Sequence, residues 1–309
     1  MFWQEFKKPI YALAPMAGIT DSAFRQVCKD FGADLVYSEM ASATALVYAP
    51  EKTLEMLKFS KKERPYIVQL FGSDPDYFFK AVKIVEEKIK PDGIDINFGC
   101  PVPKVAKQGA GAELMRNLDL AYKVVKSVTK AAKVPVSIKT RSRVGEADIL
   151  RFLDKISDLP VAAIMIHGRS LAQGHKGEVD FSIIKKVRDF FGGVILANGG
   201  VNNRESADLM LAKTNADGVG IAQGALGRPW IFKEIKESVK LEYSPKYIFQ
   251  IALKHANLAW KLKGEQGIIE MRKHLCWYVR GLPQSRKLRE KLVKVKKLEE
   301  IKQILYSNK

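Results

Sequence analysis

Asp95-Ile96-Asn97-Phe98-Gly99-Cys100-Pro101 follows a Pro-Asp-Gly turn, and its apolar side chains alternate with polar ones. This period of two is typical of a strand, and we expect the strand to end at Gly99 and Pro101. Cys100 then lies at the carboxyl end of the strand, where α/β sheets and barrels carry their reacting groups. A buried structural cysteine is the alternative. Polar residues after the other predicted strands favour a functional cysteine.

Short apolar runs recur along the chain, and helical patterns lie between several of them. The predicted strands are residues 10–14, 34–37, 66–70, 93–97, 134–139, 162–167, 193–197 and 218–221. Segments with a period of 3.6 residues occur at 76–88, 118–132, 149–156 and 204–211. Eight strands that alternate with helices over about 230 residues are typical of an α/β fold, the (β/α)8 TIM barrel.

The pattern changes near Ser244, which can cap a helix that has Pro245 at its first position. Helical periodicity continues at 247–261, at 268–279 and in a basic stretch at 285–305. We therefore predict a barrel domain over residues 1–241 and a small all-α helical domain over residues 242–309.

The formal net charge of +18 is concentrated at one end of the chain. Residues 241–309 contain 16 Lys and Arg against 6 Asp and Glu, a net charge of +10. A lysine-rich surface can serve solubility or thermal stability alone. Charge concentrated at one end instead favours a polyanionic partner, above all a nucleic acid.

Composition argues against several other classes of protein. No apolar run approaches the roughly 18 residues of a membrane span, and charged residues interrupt the N-terminus where a signal peptide would be apolar. The 3 cysteines form no Cys-x-x-Cys pair, and the 4 histidines lack metal-ligand spacing. We expect a cytoplasmic protein without a disulfide framework, a metal site or a membrane partner.

Two glycine-rich segments follow the seventh and eighth predicted strands, Asn198-Gly199-Gly200 and Ala222-Gln223-Gly224. Glycine lets backbone N–H groups approach a phosphate closely, and barrel enzymes commonly bind phosphate at this pair of loops. Two ordinary turns are the alternative. Neither the Gly-x-Gly-x-x-Gly of a dinucleotide fold nor a P-loop occurs in the chain. A phosphorylated cofactor bound to a barrel is therefore the better interpretation.

The remaining strand ends carry further polar residues. Lys139 ends an apolar run, which favours a functional cation over a surface lysine. His167 ends the sixth strand and has a packed core histidine as its alternative. The other residues at strand ends are Pro15, Met16 and Ala17 after the first strand, Gln69 on the third, Arg141 after the fifth and Arg169 after the sixth.

These segments together resemble the tRNA-dihydrouridine synthases. The resemblance is carried by Ala14-Pro15-Met16-Ala17-Gly18-Ile19-Thr20-Asp21, by the stretch around Cys100, and by the Lys-Thr-Arg, His-Gly-Arg and Asn-Gly-Gly segments. It continues through Leu226-Gly227-Arg228-Pro229-Trp230 and Arg272-Lys273-His274, and it covers residues 10–283.

The resemblance implies an FMN-containing barrel that reduces uridine in tRNA with NADPH, or NADH, as electron donor. It implies that the flavin ring contacts Pro15, Met16, Ala17, Gln69, Lys139 and His167, and that its phosphate contacts Asn198, Gly199, Gly200, Ala222 and Gln223. Cys100 would donate a proton to the substrate, and Asn97, Arg141 and Arg169 would bind it.

Two departures from the family pattern affect the expected contacts. The family commonly has Gly-Arg where this chain has Ala222-Gln223. We therefore expect weaker FMN binding, unless another cation such as Arg228 compensates. A tyrosine is also common near His175, so the substrate-side contact there is expected to differ.

Two alternative functions stay open at this point. One is an FMN-dependent dihydroorotate or dihydropyrimidine dehydrogenase that acts on free pyrimidines, although such an enzyme needs no basic helical domain. The other is an RNA-binding module in which the barrel is only a scaffold, although Cys100, Lys139 and His167 argue against it. The pattern decides neither the uridine position nor the oligomeric state.

Overall fold

The computed structural model describes residues 2–239 and 241–306, and eight parallel strands form its centre. Each strand pairs with the next, and the eighth pairs with the first, which closes the sheet into a barrel. The predicted (β/α)8 barrel is confirmed. The strands are β1 (Ile10–Leu13), β2 (Leu35–Tyr37), β3 (Tyr66–Phe71), β4 (Gly93–Phe98), β5 (Val136–Arg141), β6 (Val161–His167), β7 (Val194–Asn198) and β8 (Gly218–Ile221).

Ten helices that precede residue 240 accompany the barrel. They are α1 (Ser22–Asp30), α2 (Ala43–Tyr48), α3 (Pro50–Leu57), α4 (Pro75–Lys88), α5 (Pro103–Ala106), α6 (Leu118–Ala131), α7 (Ile149–Lys155), α8 (Phe181–Lys186), α9 (Arg204–Thr214) and α10 (Ile231–Glu237). Alternation along the strands explains how they pack. Ile94, Ile96 and Phe98 of β4 are fully buried in the cluster between strands and helices, so Asp95 and Asn97 face the barrel interior.

The barrel interior differs between its two ends. At the amino ends of the strands, Ile10, Leu35, Ile67 and Leu196 form a buried apolar cluster with Trp3. Trp3 belongs to a short 3-10 helix that precedes β1. Polar side chains instead occupy the carboxyl ends. Within the barrel, the apolar cluster fills the amino end, which leaves the carboxyl end for a cavity.

The C-terminal region, which we call the helical unit, consists of α11 (Pro245–Tyr278), α12 (Ser285–Leu292) and α13 (Leu298–Tyr306). Ser244 caps α11 through a hydrogen bond from the backbone N–H of Tyr247, as predicted. The helix is kinked at Gly264, whose φ of 57° and ψ of −138° are not helical.

The predicted helical stretch at 285–305 is wrong in one respect, because the structure divides it into α12 and α13. The carboxylate of Glu300 accepts hydrogen bonds from the backbone N–H groups of Lys296 and Lys297, which starts a new helix. Arg272 of α11 donates to the carbonyl of Val295 at 2.8 Å and holds the intervening turn.

The helical unit packs against the barrel through a second hydrophobic cluster. Ala23 and Val27 of α1, together with Trp230, belong to this cluster. Lys254 of α11 also pairs with Asp30 at 2.7 Å. Because the two regions share one cluster, the boundary between residues 241 and 242 stays a prediction. Within the described residues, no helix is long and apolar enough to cross a bilayer.

Candidate active site

A cavity of about 670 Å³ opens at the carboxyl ends of the strands. This volume lies within the range of about 300–1,000 Å³ that is usual for small-molecule sites. We call it the mouth cavity. It is lined by all the residues that the sequence assigned to the cofactor, the substrate or proton donation, namely Pro15, Met16, Ala17, Gln69, Asn97, Cys100, Lys139, Arg141, His167, Arg169, Asn198, Gly199, Gly200, Ala222 and Gln223.

Cys100 lies in the turn after β4, where its backbone is held on two sides. The backbone N–H groups of Gly99 and Cys100 donate to Asn97 Oδ1 at 3.0 and 2.9 Å. The Cys100 carbonyl accepts from the backbone N–H of Ala112 at 3.1 Å. Gly111 is required there, because its φ is +65° and a Cβ would lie 2.9 Å from that carbonyl. Cys100 is a free, half-buried thiol at the cavity wall.

A chain of hydrogen bonds lies beneath this turn. Gln69 Nε2 donates to Asp95 Oδ2 at 2.7 Å, and Ser137 Oγ donates to Asp95 Oδ1 at 2.6 Å. Asn97 Nδ2 in turn donates to Gln69 Oε1 at 2.8 Å. Burial raises the pKa of Asp95 to about 6, against the opposing effect of the two hydrogen bonds and of Lys139.

Lys139 and Arg141 lie two residues apart on β5, so both side chains face the cavity. Burial lowers the pKa of Lys139 to about 8, although Asp95 favours its charged form. Arg141 is held more firmly. Its Nε donates to the carbonyl of Gly99 at 3.0 Å, and one terminal nitrogen donates to the carbonyls of Ser170 and Gly174 at 3.1 and 3.0 Å.

His167 ends β6 beside these cations. Burial, followed by the positive charges of Lys139, Arg141 and Arg169, lowers the pKa of His167 to about 3. The imidazole is therefore neutral at physiological pH. Its Nε2 lies 3.5 Å from a terminal nitrogen of Arg169, and its ring centroid lies 5.8 Å from that of His175.

The charges on the cavity wall are not balanced. Lys139, Arg141 and Arg169 line the cavity, and no Asp or Glu lies among its described lining residues. Three cations that face one cavity repel one another unless an anion lies between them. The wall is therefore suited to a ligand that carries negative charge.

The turn after β7 supplies a backbone cradle. Gly199 and Gly200 have φ values of +120° and +76°, and a Cβ on Gly199 would lie only 2.8 Å from His167 Cδ2. Asn198 Nδ2 donates to the carbonyl of Gly220 at 2.7 Å and so joins the turns after β7 and β8. These conformations favour glycine, and both glycines line the cavity, where their backbone can approach a phosphate closely.

Arg228 does not compensate for the missing arginine at position 223. Its side chain donates to the carbonyl of Asn202 at 3.0 Å and pairs with Glu234, and it is absent from the cavity wall. A terminal nitrogen of Arg169 lies nearer, 3.8 Å from the position that a Cβ on Gly200 would take.

Several residues of the site were not found from the sequence. Met40 and Trp277 line the cavity, and Asp95 and Ser137 lie beneath it. The alternation in β4 was a usable signal for Asp95, since it places Asp95 on the same face as Asn97. Trp277 gave no such signal, because it reaches the barrel mouth from α11, far along the chain.

The described residues contain no group of three or more His, Cys, Asp and Glu side chains that could hold a metal ion. The donor set of the cavity is amide, thiol, imidazole and cation. These groups are suited to binding an organic anion, because the cations can pair with its negative charge.

Comparison with known proteins assigns the chain to a family. The family model for dihydrouridine synthase (Dus) matches residues 12–308. The probable tRNA-dihydrouridine synthase of Aquifex aeolicus is 33% identical, with coverage of 98% of this chain and 99% of the relative. The tRNA-dihydrouridine synthase B of Pasteurella multocida is 36% identical, with coverage of 87% and 83%.

Solved structures share the fold at low sequence identity. TcOYE with pHBA superposes with a TM-score of 0.55 at 14% identity, with coverage of 76% of this chain and 91% of that chain. The old yellow enzyme homologue from Zymomonas mobilis gives a TM-score of 0.56 at 14% identity, with coverage of 75% and 89%. With the family model matched over nearly the whole chain, this protein belongs to the dihydrouridine synthase family.

Proposed function

We propose that the protein is an FMN-dependent tRNA-dihydrouridine synthase that reduces the C5=C6 bond of specific uridines in tRNA, with NADPH or NADH as electron donor. The observation that carries the proposal is a free thiol on the wall of a cavity that has three cations, and no carboxylate, among its described lining residues. Membership of the dihydrouridine synthase family supports it. An activity on tRNA agrees with a cytoplasmic protein.

The residues of the mouth cavity fit FMN in two respects. The glycine cradle after β7 and the amide of Gln223 can hold one terminal phosphate. Pro15, Met16 and Ala17, with Gln69, Lys139 and His167, provide a wall of apolar and polar groups for a ring system. When bound and reduced, the flavin supplies the hydride that C6 of uracil accepts.

Cys100 is the proposed catalytic acid. Hydride addition at C6 leaves an electron pair on C5 that is shared with the C4 carbonyl. The Cys100 thiol donates its proton to C5, the S–H bond breaks as the C–H bond forms, and the thiolate later takes a proton from water. Such a placed acid typically contributes about 10²–10⁴-fold in rate.

Asn97 and Arg141 are proposed to bind the uracil, together with Arg169. Asn97 Oδ1 is committed to the Cys100 turn, so Asn97 offers the cavity only an N–H donor. One N–H of the Asn97 amide donates to Gln69 Oε1 at 2.8 Å, and the amide nitrogen lies 3.8 Å from the weak acceptor Met40 Sδ. A ring carbonyl next to C5 would be the matching acceptor for this N–H when Cys100 protonates C5.

The helical unit is proposed to bind the tRNA backbone. A uridine must leave its stack to reach the cavity, which costs a few kcal/mol. Phosphate contacts from exposed cations on α12, among them Arg286, Lys287 and Arg289, can offset this cost. Trp277 lines the cavity from α11, so the same unit reaches the reacting base.

The two alternatives have less support. Relatives named tRNA-dihydrouridine synthases at 33–36% identity favour tRNA over free pyrimidines. The charged cavity and its thiol have no purpose in an RNA-binding scaffold.

The proposal is tested with purified full-length protein loaded with FMN and supplied with NADPH and unmodified tRNA. Mass spectrometry of the digested tRNA should show a gain of two mass units at specific uridines. Free uracil and orotate serve as comparison substrates. Reduction of the free bases without reduction of tRNA would establish the dehydrogenase alternative, and protein that binds no flavin would establish the scaffold.

A further inference from the structure

Asp95 is the end point of the hydrogen-bond chain beneath the Cys100 turn. It is fully buried on β4, and both of its carboxylate oxygens accept from side chains of neighbouring strands, Gln69 of β3 and Ser137 of β5. It does not line the mouth cavity. Any effect of Asp95 on the reaction must therefore pass through the residues that it contacts or through its charge, which favours the charged form of Lys139.

The hydrogen bonds of this chain are directed from both ends, by the charge of Asp95 at one end and by the backbone N–H donors of the Cys100 turn at the other. An ionised carboxylate can only accept. Gln69 must therefore turn its NH₂ group to Asp95 and its oxygen to Asn97. Asn97 must then turn its NH₂ group to Gln69 and its oxygen to the backbone N–H groups of the Cys100 turn.

We propose that Asp95 is a positioning residue that, through Gln69, fixes the amide orientation of Asn97. This orientation caps the Cys100 turn and presents an N–H donor to the substrate base. The inference rests on the proposed function for its catalytic consequence. The reversed orientation would set the Asn97 NH₂ group against the backbone N–H groups of Gly99 and Cys100, which leaves buried donors without acceptors.

Protonation of Asp95 offers a way to reverse the chain. A protonated carboxyl can donate to Gln69 Oε1, which frees Gln69 to turn over. The pKa of Asp95 is raised to about 6, so this change falls in an accessible range. Among the described residues, the titratable groups that face Asp95 are the cation Lys139 on β5 and Tyr37 on β2, whose own pKa is raised well above its usual value.

The first experiment follows single turnovers. Pre-reduced holoenzyme is mixed with tRNA between pH 5 and 8, and flavin reoxidation is recorded. The wild-type rate should fall as the pH drops through about 6. Asp95→Asn should lower the plateau by about tenfold and abolish this acid limb. The hydrogen bond from Ser137 favours the ionised form of Asp95. Ser137→Ala removes it, which should raise the pKa of Asp95 and move the acid limb to higher pH.

Asp92→Asn is the matched control. Asp92 precedes β4 at the opposite end of the barrel, where its carboxylate accepts from the backbone N–H of Tyr66 at 2.7 Å. This variant should lose some stability and keep the wild-type acid limb. An unmoved limb in Ser137→Ala, or a wild-type limb in Asp95→Asn, would overturn the proposal. Ser137→Ala decides the matter if Asp95→Asn does not fold.

A second measurement is independent of tRNA. Hydrogen exchange of the Gly99 and Cys100 amides is followed by NMR at pH 7. Asp95→Asn should speed their exchange at least about tenfold, and Asp92→Asn should leave it unchanged. Unchanged exchange in Asp95→Asn contradicts the positioning role. If the wild-type protein protects these amides but does not reduce tRNA, the proposed function is contradicted, and the positioning role of Asp95 remains supported.

Discussion

Two cavities of this protein differ in volume and in charge. The mouth cavity measures about 670 Å³ and has three cations on its wall without a carboxylate. A larger cavity of about 1,050 Å³, which we call the seam cavity, lies between the barrel and α11. Its wall carries five carboxylates, Asp21, Glu39, Glu51, Glu55 and Glu270, and four lysines, Lys52, Lys58, Lys263 and Lys273.

The charges of the seam cavity are largely satisfied within the protein. Lys263 pairs with Asp21 at 3.2 Å and with Glu270 at 2.6 Å. The rings of His255 and His274 pack beside Phe24, with centroids 5.5 and 4.8 Å from it. These contacts join α1 to α11. Unbalanced charge, rather than volume, therefore distinguishes the cavity that needs a ligand from the one that holds two parts of the fold together.

The largest effect is expected from removal of the thiol. Cys100→Ala should slow tRNA reduction by about 10²–10⁴-fold, because it removes the proposed acid that protonates C5. Flavin reduction by NADPH should stay near the wild-type rate, since that step needs no acid for the substrate. Stopped-flow absorbance separates the two steps. Cys276→Ala is the control for loss of a half-buried cysteine, and a fully active Cys100→Ala would remove Cys100 from the mechanism.

Lys139→Met tests the unbalanced charge directly. A cation beside a bound redox group stabilises its electron-rich state, so the flavin potential should fall and reduction by NADPH should slow by about 10²-fold. Spectroelectrochemistry measures the potential. Lys133→Met, which removes an exposed lysine just before β5, should change neither quantity. An unchanged potential in Lys139→Met would separate this lysine from the flavin.

Low pH should lower the stability of the protein through the buried histidine His255, which lies beside the seam cavity. Burial lowers the pKa of His255 to about 4, below the unfolded value of about 6.5. The unfolded chain then binds more protons between these two pH values, so stability falls as the pH decreases from 6.5 towards 4 by up to about 1.4 kcal/mol per pH unit for this group. Urea titrations at several pH values measure the slope. His255→Gln, which can keep the contact with Tyr278, should reduce the slope, and an equal slope would contradict the assignment.

Gln223→Arg asks whether the phosphate cradle lacks a cation. A guanidinium at this position should tighten FMN binding by about tenfold, the usual effect of one charge-assisted hydrogen bond. Riboflavin, which has no phosphate, should bind the variant and the wild type equally. Quenching of flavin fluorescence on addition to apoprotein measures both affinities. Equal gains for FMN and riboflavin would show that position 223 does not contact the phosphate.

The smallest effects are expected on α12. Replacing Arg286, Lys287, Arg289 or Lys291 by Gln should each weaken tRNA binding slightly and without regard to sequence. Each lost phosphate contact should also reduce the slope of log affinity against log salt by about 0.7–0.9. Lys213→Gln on α9 is the control on the barrel side. Full-length variants are preferable to truncation, because removal of the helical unit would expose Ala23, Val27 and Trp230.

Local pattern was sufficient for most of the barrel. Alternation in β4 and the glycines after β7 and β8 depend on residues that are close together in the chain. Parallel strands then bring their carboxyl ends to one edge, so polar residues at those ends, such as Cys100, Lys139 and His167, had to meet. The division of 285–305 into two helices was missed, although Glu300 close to Lys296 and Lys297 was a local signal for a new helix start. The contact between Arg272 and Val295, which holds the turn across the helical unit, was not predictable from the sequence.

The sequence by itself determined the closed barrel, its polar end, the thiol and the basic C-terminal region, since each follows from short-range periodicity or composition. Only the tertiary structure decided that Arg228 turns away from the cavity, that Trp277 lines it, and that Asp95 is hydrogen-bonded through Gln69 to the Asn97 amide. These features depend on side chains that meet from distant parts of the chain. Hydrogen-bond direction and burial depend on contacts between these distant residues, and no local sequence pattern encodes them.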